Sequence, residues 1–377
     1  MPLHLRALLL FASQLGLAFG AAAQNKLAPG AIEALPVPLA SHPKAIAQGV
    51  SADGERVVGV AFPESFFDLD GPPTLRPFVW TRDAGYRMID LPDSLVSLAV
   101  EVTITGDGET VAGQFAYDAA VDRLQIRMID RAFRWTEAEG LSWLSVPGAY
   151  RTGVRDGYQA KAVAASTDGR RLLGSLWTNA ADTRTVVWED DGRWTAVDPP
   201  ASFATISARD LSADGSVGVG AAYRDRVGFP RTAFRWTEGR GSEVIAPVAD
   251  AYERSDAVAV SADGSTVVGY AYDGPTRNIA DSDAFRVRDG ELAILGPWLP
   301  RDVSADGSVV VGGSGRAIVW VEGDVARYLD TLVDAAGWRL ERAVAVSADG
   351  TIVVGTGTAP DGRDTSWRAR LPARDGG

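Results

Sequence analysis

The sequence predicts an all-β fold, a seven-bladed β-propeller with four-stranded blades whose last blade is closed by the N-terminal strand. Three observations predict it. First, the phrase S/T-x-D-G, with a second Gly six residues after the Asp, occurs seven times: at Asp53/Gly59, Asp107/Gly113, Asp168/Gly174, Asp214/Gly220, Asp263/Gly269, Asp306/Gly312 and Asp349/Gly355. Second, the steps between these aspartates are 54, 61, 46, 49, 43 and 43 residues, a period of the size that marks a repeat architecture. Third, each repeat divides into four short strand-like segments, and the two ends of the chain carry complementary parts of one repeat.

Taken from the N-terminus, residues 1–23 read as a secretory signal peptide. Arg6 supplies the positive region, Ala7 to Phe19 the apolar region, and Ala21-Ala22-Ala23 the small-residue cleavage site. The mature chain is then a single propeller domain over 24–377, in which 24–38 complete the last blade, and the expected location is secreted or periplasmic. No later apolar run reaches the length of a membrane-spanning helix, so no transmembrane segment is expected.

The repeat at 255–300 shows the grammar of a blade. "DAVAVS" alternates as a strand does, "ADG" turns, and "STVVGYAY" is β-branched and aromatic, a second strand. Asp-Gly suits the turn because Gly takes positive φ without a Cβ clash and Asp bonds its own local backbone. "DAFRV" is the third strand and "ELAILGP" the fourth. The third strand recurs with Trp80, Trp135, Trp188, Trp236, Trp320 and Trp367 in equivalent positions and Val287 in the fifth copy. The fourth strand recurs as "YRMIDLP", "LSWLSVP", "RWTAVDPP" and "EVIAP", usually ending in Pro, as an edge strand tolerates.

The seventh copy stops after "SWRARLP" without a fourth strand, while "AIEALPVP" (31–38), upstream of the first copy, reads like one. The N-terminal segment therefore completes the last blade and closes the ring, which removes exposed edges. An open β-solenoid is the alternative, and it needs no such pair of ends. Within "RYLDTLVDAAGWRL" (327–340), Leu329, Leu332 and Val333 fall at helical spacing before Gly337, which predicts a short helix between the sixth and seventh blades.

Composition narrows the function classes. The net charge is −12, and about −13 once the leader with its lone Arg6 is removed, which opposes nucleic-acid backbones; no nucleic-acid partner is expected. There is no Cys, and of two His only His42 remains in the mature chain, so thiolate catalysis and multi-His or multi-Cys metal sites are excluded by count. A Ser-His-Asp set would have to use His42, in "ASHPK" before the first blade. The turn aspartates Asp53, Asp107, Asp168, Asp214, Asp263, Asp306 and Asp349 could be read as calcium loops, but each turn offers one carboxylate, and structural turns are the reading preferred. No cofactor is expected, and a monomer is.

"AVSADGSTVVGYAY…DAFRV…GELAILG" and the closing "YLDTLVDAAGWRLERAVAVSADGTIVVGTGT" resemble the HAF family of extracellular repeat proteins, named for a His-Ala-Phe tripeptide. The resemblance covers nearly all of the mature chain and implies a secreted or surface β-repeat protein. The His is replaced here: the equivalents are "RAF" (131–133), "TAF" (232–234) and "DAF" (283–285).

In a propeller, the Asp-Gly turns lie on one face and the loops between second and third strands, with the blade-to-blade connections, on the other. The latter vary most in length, as at 63–76, 117–130, 147–159 and 272–282, and function concentrates on such loops. Aromatics recur three residues after the second Gly: Phe62, Trp177, Tyr223 and Tyr272. They are either packing beneath the loops or an aromatic platform for an extracellular glycan or protein; loop charges such as Asp68, Asp70, Arg151 and Arg155 are the fallback. The main reading is a binding or scaffold module. A glycan-processing hydrolase that uses a carboxylate pair, and a purely structural envelope protein, are the alternatives.

Overall fold

The computed structural model describes residues 27–63, 75–91, 97–118, 128–146, 159–177, 183–225, 231–274 and 282–373. The leader at 1–23, most of the variable loops, and Asp68, Asp70, Arg151 and Arg155 lie outside these residues.

Local turn chemistry sets the architecture. In the fifth repeat, the Ser261 hydroxyl donates to Asp263 Oδ1 at 2.7 Å, and the Ser265 amide donates to the same oxygen at 2.9 Å. Ser261 Oγ also accepts the Thr266 amide at 2.9 Å. Gly264 follows with φ +73°, where a side chain is strained. All seven repeats use the Ser or Thr hydroxyl and the Asp carboxylate in this way. A Cβ on Gly264 would also come within 2.6 Å of the Val217 side chain in the preceding blade. Gly264→Val is therefore expected to cost about 1–3 kcal/mol, read from chemical denaturation. Wild-type stability in this variant would refute the turn assignment.

The turns join strands into antiparallel blades. Blade five is Arg254–Val260, Thr266–Tyr272, Asp283–Arg288 and Glu291–Gly296, in that order from the axis outward. Seven such four-stranded sheets form among the described residues, and their first strands neighbour one another around the axis. The seventh consists of Arg339–Val346, Ile352–Thr358, Asp364–Arg370 and then Ile32–Ala34 from the N-terminus, with Glu33 opposite Arg368. The ring is thus closed by the N-terminal strand, as the sequence predicts, and not an open solenoid.

The second Gly of the motif has a different cause. Gly269 faces Ala257 across the first strand, and a Cβ there would fall on the Asp256 carbonyl oxygen and on the Phe285 ring. The same close approach of first-strand backbone occurs at all seven positions. It accompanies a β-bulge: six of the seven first strands shift register by one residue just before the turn, at Gln48, Val163, Arg209, Val258, Arg301 and Val344.

Cores lie between blades. Val217, Val219, Val248, Val267 and Phe285 pack together between blades four and five. The aromatic register departs from the sequence reading in one repeat. Phe78, Phe133, Phe234 and Phe285 stand opposite the second Gly, with the Trp position two residues on. Trp367 stands opposite Gly355, so it fills the Phe position, and Ala369 takes the Trp position. The helix expected within 327–340 is also corrected. Arg327–Tyr328 is the fourth strand of blade six, and only a single 3-10 turn, Leu329–Thr331, follows. Leu329 is fully buried, which anchors that turn to the core between blades six and seven. A helix does occur at Ala246–Ala251, after the fourth strand of blade four, with Pro in its first turn.

Candidate ligand-binding site

Bulges turn side chains toward the axis, and this builds the candidate site. The axial channel encloses about 280 Å³. At its turn-face end, the residue after each motif Ser or Thr donates its amide across to the next blade: Ala52 to Gly106, Thr167 to Ala213, Ala213 to Ala262, Ala262 to Ala305, Ala305 to Ala348 and Ala348 back to Ala52, at 2.8–3.0 Å. Asp107 makes the remaining link, to Thr167, at 3.1 Å. Small residues are required there, and five of the seven are Ala. On the same face, Oδ1 of each motif aspartate is occupied within its own turn.

Deeper in the channel, equivalent bulge positions place Gln48, Arg209 and Arg301 at one level, with Asp210 and Asp302 beside them. Asp210 Oδ2 accepts the Val260 amide and Asp302 Oδ2 the Val346 amide, each at 2.8 Å, so each carboxylate stitches its blade to the next. Burial pushes Asp210 up to about 6 and Asp302, further raised by the charge of Asp210, to about 7.

On the loop face the channel meets a cavity of about 600 Å³ between blades seven and one. Gln48, Arg301 and Val344 line both. Its rim carries exposed Lys44, Arg342 and Asp364, and half-buried Phe62 and Glu341. A wider depression of about 730 Å³ lies on the turn face near Arg171 and Arg193, but its cations are already paired, with Glu238 and Asp191 respectively.

The four aromatics all end second strands on the loop face, but they do not form one platform. Phe62 lines the cavity. Trp177 and Tyr223 are half-buried, whereas Tyr272 is 1% exposed and packs with Tyr270 and Leu299. Tyr223 and Tyr272 are brought together through Arg231. Arg231 pairs with Tyr223 in register, and its guanidinium lies 5.8 Å from the centre of the Tyr272 ring. Behind them is Asp256, fully buried, which accepts from the Tyr270 hydroxyl at 3.1 Å and lies 3.4 Å from both Arg209 and Arg231. Burial and the charge of Asp256 hold the Tyr223 phenol above its usual range. His42 is buried in a tight turn, its Nδ1 3.0 Å from Ser41 Oγ.

The residues that sequence reasoning missed are Gln48, Arg209, Asp210, Asp256, Arg301 and Asp302. A signal was present. Before the turn, "ARDLS" and "PRDVS" put an Arg-Asp pair where the fifth and seventh repeats have Val-Ala. Here both members of each pair line the channel.

No family model and no curated protein matches the sequence. Solved structures do. TolB from Acinetobacter baumannii is 13% identical with a TM-score of 0.46, over 86% of this chain; the chain spans 65% of that protein's length. The β-propeller domain of the Trilobed protease from Pyrococcus furiosus is 12% identical with a TM-score of 0.54, over 89% of this chain and 100% of that one. Oligogalacturonate lyase from Vibrio parahaemolyticus is 12% identical with a TM-score of 0.54, over 92% of this chain and 99% of that one. Identity this low shows a shared fold, and the chain is similar to β-propellers in architecture.

Proposed function

We propose that the protein is a secreted or periplasmic propeller of the HAF-repeat type that acts as a binding or scaffold module, with its ligand, an extracellular glycan or peptide, held on the loop face. The observation that carries this is the cavity of about 600 Å³ beside the channel mouth, where exposed Lys44 and Arg342 flank the Phe62 ring. A rigid seven-bladed ring supplies pre-organisation, and an apolar ring beside polar groups is the composition of a ligand site. Phe62 is the contact aromatic in this cavity. Trp177 and Tyr223 extend the same face, and Tyr272 contributes through its hydroxyl because its ring is packing.

The test is a glycan and peptide array on the purified mature chain, followed by calorimetry and turnover assays on hits. The double variant Lys44→Glu, Arg342→Glu is expected to weaken the best hit by about tenfold or more while the melting temperature stays within a few degrees, because both side chains are exposed. Unchanged affinity would remove the cavity from the site. Turnover of a glycan hit would favour the hydrolase reading instead.

A further inference from the structure

The Arg209–Asp256–Arg231 cluster gathers two guanidiniums on one fully buried carboxylate. Arg171 and Arg316 meet Glu238 and Asp330 closely, at 2.7–2.9 Å. Here two guanidiniums share one buried carboxylate, both at 3.4 Å, a separation that leaves them short of tight pairing. Three buried polar atoms at this one place have no hydrogen-bond partner among the described residues: Asp256 Oδ1, Tyr272 OH and Arg231 Nε. Buried polar groups are normally satisfied, and unmade bonds gathered at one point mark a place where a ligand completes the set. The side chain of Arg209 is 41% exposed and lines the axial channel, so the cluster reaches the channel through it.

The cluster gives the sign of the ligand, since two guanidiniums face one carboxylate. In the channel beyond it, Arg209 and Arg301 stand exposed at one level with Asp210 and Asp302 beside them. The atoms give its chemistry. Guanidinium N–H groups of Arg209 and Arg231 suit a carboxylate, while Asp256 Oδ1, which can only accept when ionised, and the Tyr272 hydroxyl suit alcohols.

We propose that the Arg209–Asp256–Arg231 cluster binds a small hydroxylated carboxylate, an acidic sugar or a hydroxy acid, with the arginines on the carboxylate and Asp256 and Tyr272 on hydroxyls. This rests on the reading of the loop face as the binding face and names the chemical class it takes.

The test titrates glucuronate, lactate, glucose and acetate into the mature chain and into two variants, with calorimetry and melting temperature as readouts. Glucuronate or lactate is expected to bind; glucose, which lacks the carboxylate, and acetate, which lacks the hydroxyl, are expected to bind at least about tenfold more weakly. Glucuronate against lactate separates a sugar from an acyclic hydroxy acid. Arg209→Gln is expected to weaken the preferred anion by about tenfold or more with little change in melting temperature, since its side chain is partly exposed. Tyr272→Phe removes only a hydroxyl with no partner among the described residues. It is expected to weaken binding about threefold to tenfold without loss of stability. Destabilisation by Tyr272→Phe with unaltered binding would show instead that the hydroxyl is structural and overturn the proposal. Array hits that are neutral and insensitive to Arg209→Gln would also overturn it while leaving the loop-face reading intact. Absence of any hit, anionic or neutral, would overturn both.

Discussion

Deletion of residues 27–38 is expected to abolish the monomeric, cooperatively melting protein. The segment supplies the outer strand of blade seven, Ile32–Ala34, paired with Asp364–Arg370. Its loss exposes that strand's edge and opens the ring at its only covalently unlinked seam. It also removes Glu33 from Arg368, whose guanidinium is fully buried and, among the described residues, is otherwise ion-paired with Glu55, at 3.0 Å. Fully orphaning a buried charge costs about 3–5 kcal/mol; Glu55 keeps this part of the cost lower, and the exposed edge and the opened ring supply the rest. The milder Glu33→Ala leaves Glu55 in place, and a loss on the order of 2 kcal/mol is expected, below that of a fully orphaned charge. Size-exclusion chromatography and thermal melts decide the matter. A deletion variant that remains monomeric and melts like the full chain would show that the closure contributes nothing to stability.

The fold was legible because its determinants are local. Ser, Asp and Gly of the motif close the same turn in every repeat, and the second Gly is fixed by an adjacent backbone that no side chain can displace. What failed were places where tertiary context overrode a local pattern. Leu329, Leu332 and Val333 have helical spacing, but burial of Leu329 against blades six and seven holds the chain to one 3-10 turn. Trp367 fits a Trp series by type, yet it lies two residues out of register, and only pairing with Gly355 shows it. The candidate site was less legible than the fold. Strand-end position does place aromatics on the loop face, but it does not tell a ring that packs, Tyr272, from one that lines a cavity, Phe62. Asp256 and Arg231 come together from different blades, and no spacing within one repeat encodes that meeting.

The wild-type protein is expected to lose stability between about pH 5 and pH 8, and Asp302 to account for much of the loss. Both channel carboxylates accept backbone amides, Asp302 from Val303 and Val346 and Asp210 from Val260, and these bonds favour the ionised form. Burial outweighs them and pushes Asp210 up to about 6 and Asp302 to about 7. A carboxyl raised in the folded state binds its proton more tightly there than in the unfolded chain, so its contribution is fully present below the ordinary value of 3.8 and is lost as pH rises through about 6 to 7. For Asp302 a rise to about 7 corresponds to something on the order of 4 kcal/mol at alkaline pH. The turn aspartates act in the opposite sense. Backbone and hydroxyl donors hold Asp168, Asp214 and Asp263 below the ordinary value, so their contribution is lost only as pH falls through those depressed values. Stability should therefore peak in mildly acid solution. Asp302→Asn removes the ionisable group but keeps one acceptor oxygen. It should melt lower than wild type at pH 5, where a hydrogen bond is lost, and equal or higher at pH 8, where a buried charge is lost. Thermal melts of both proteins at pH 5 and pH 8 test this: equal wild-type melting at the two pH values, or an unchanged difference in the variant, would show that Asp302 ionises freely in the channel.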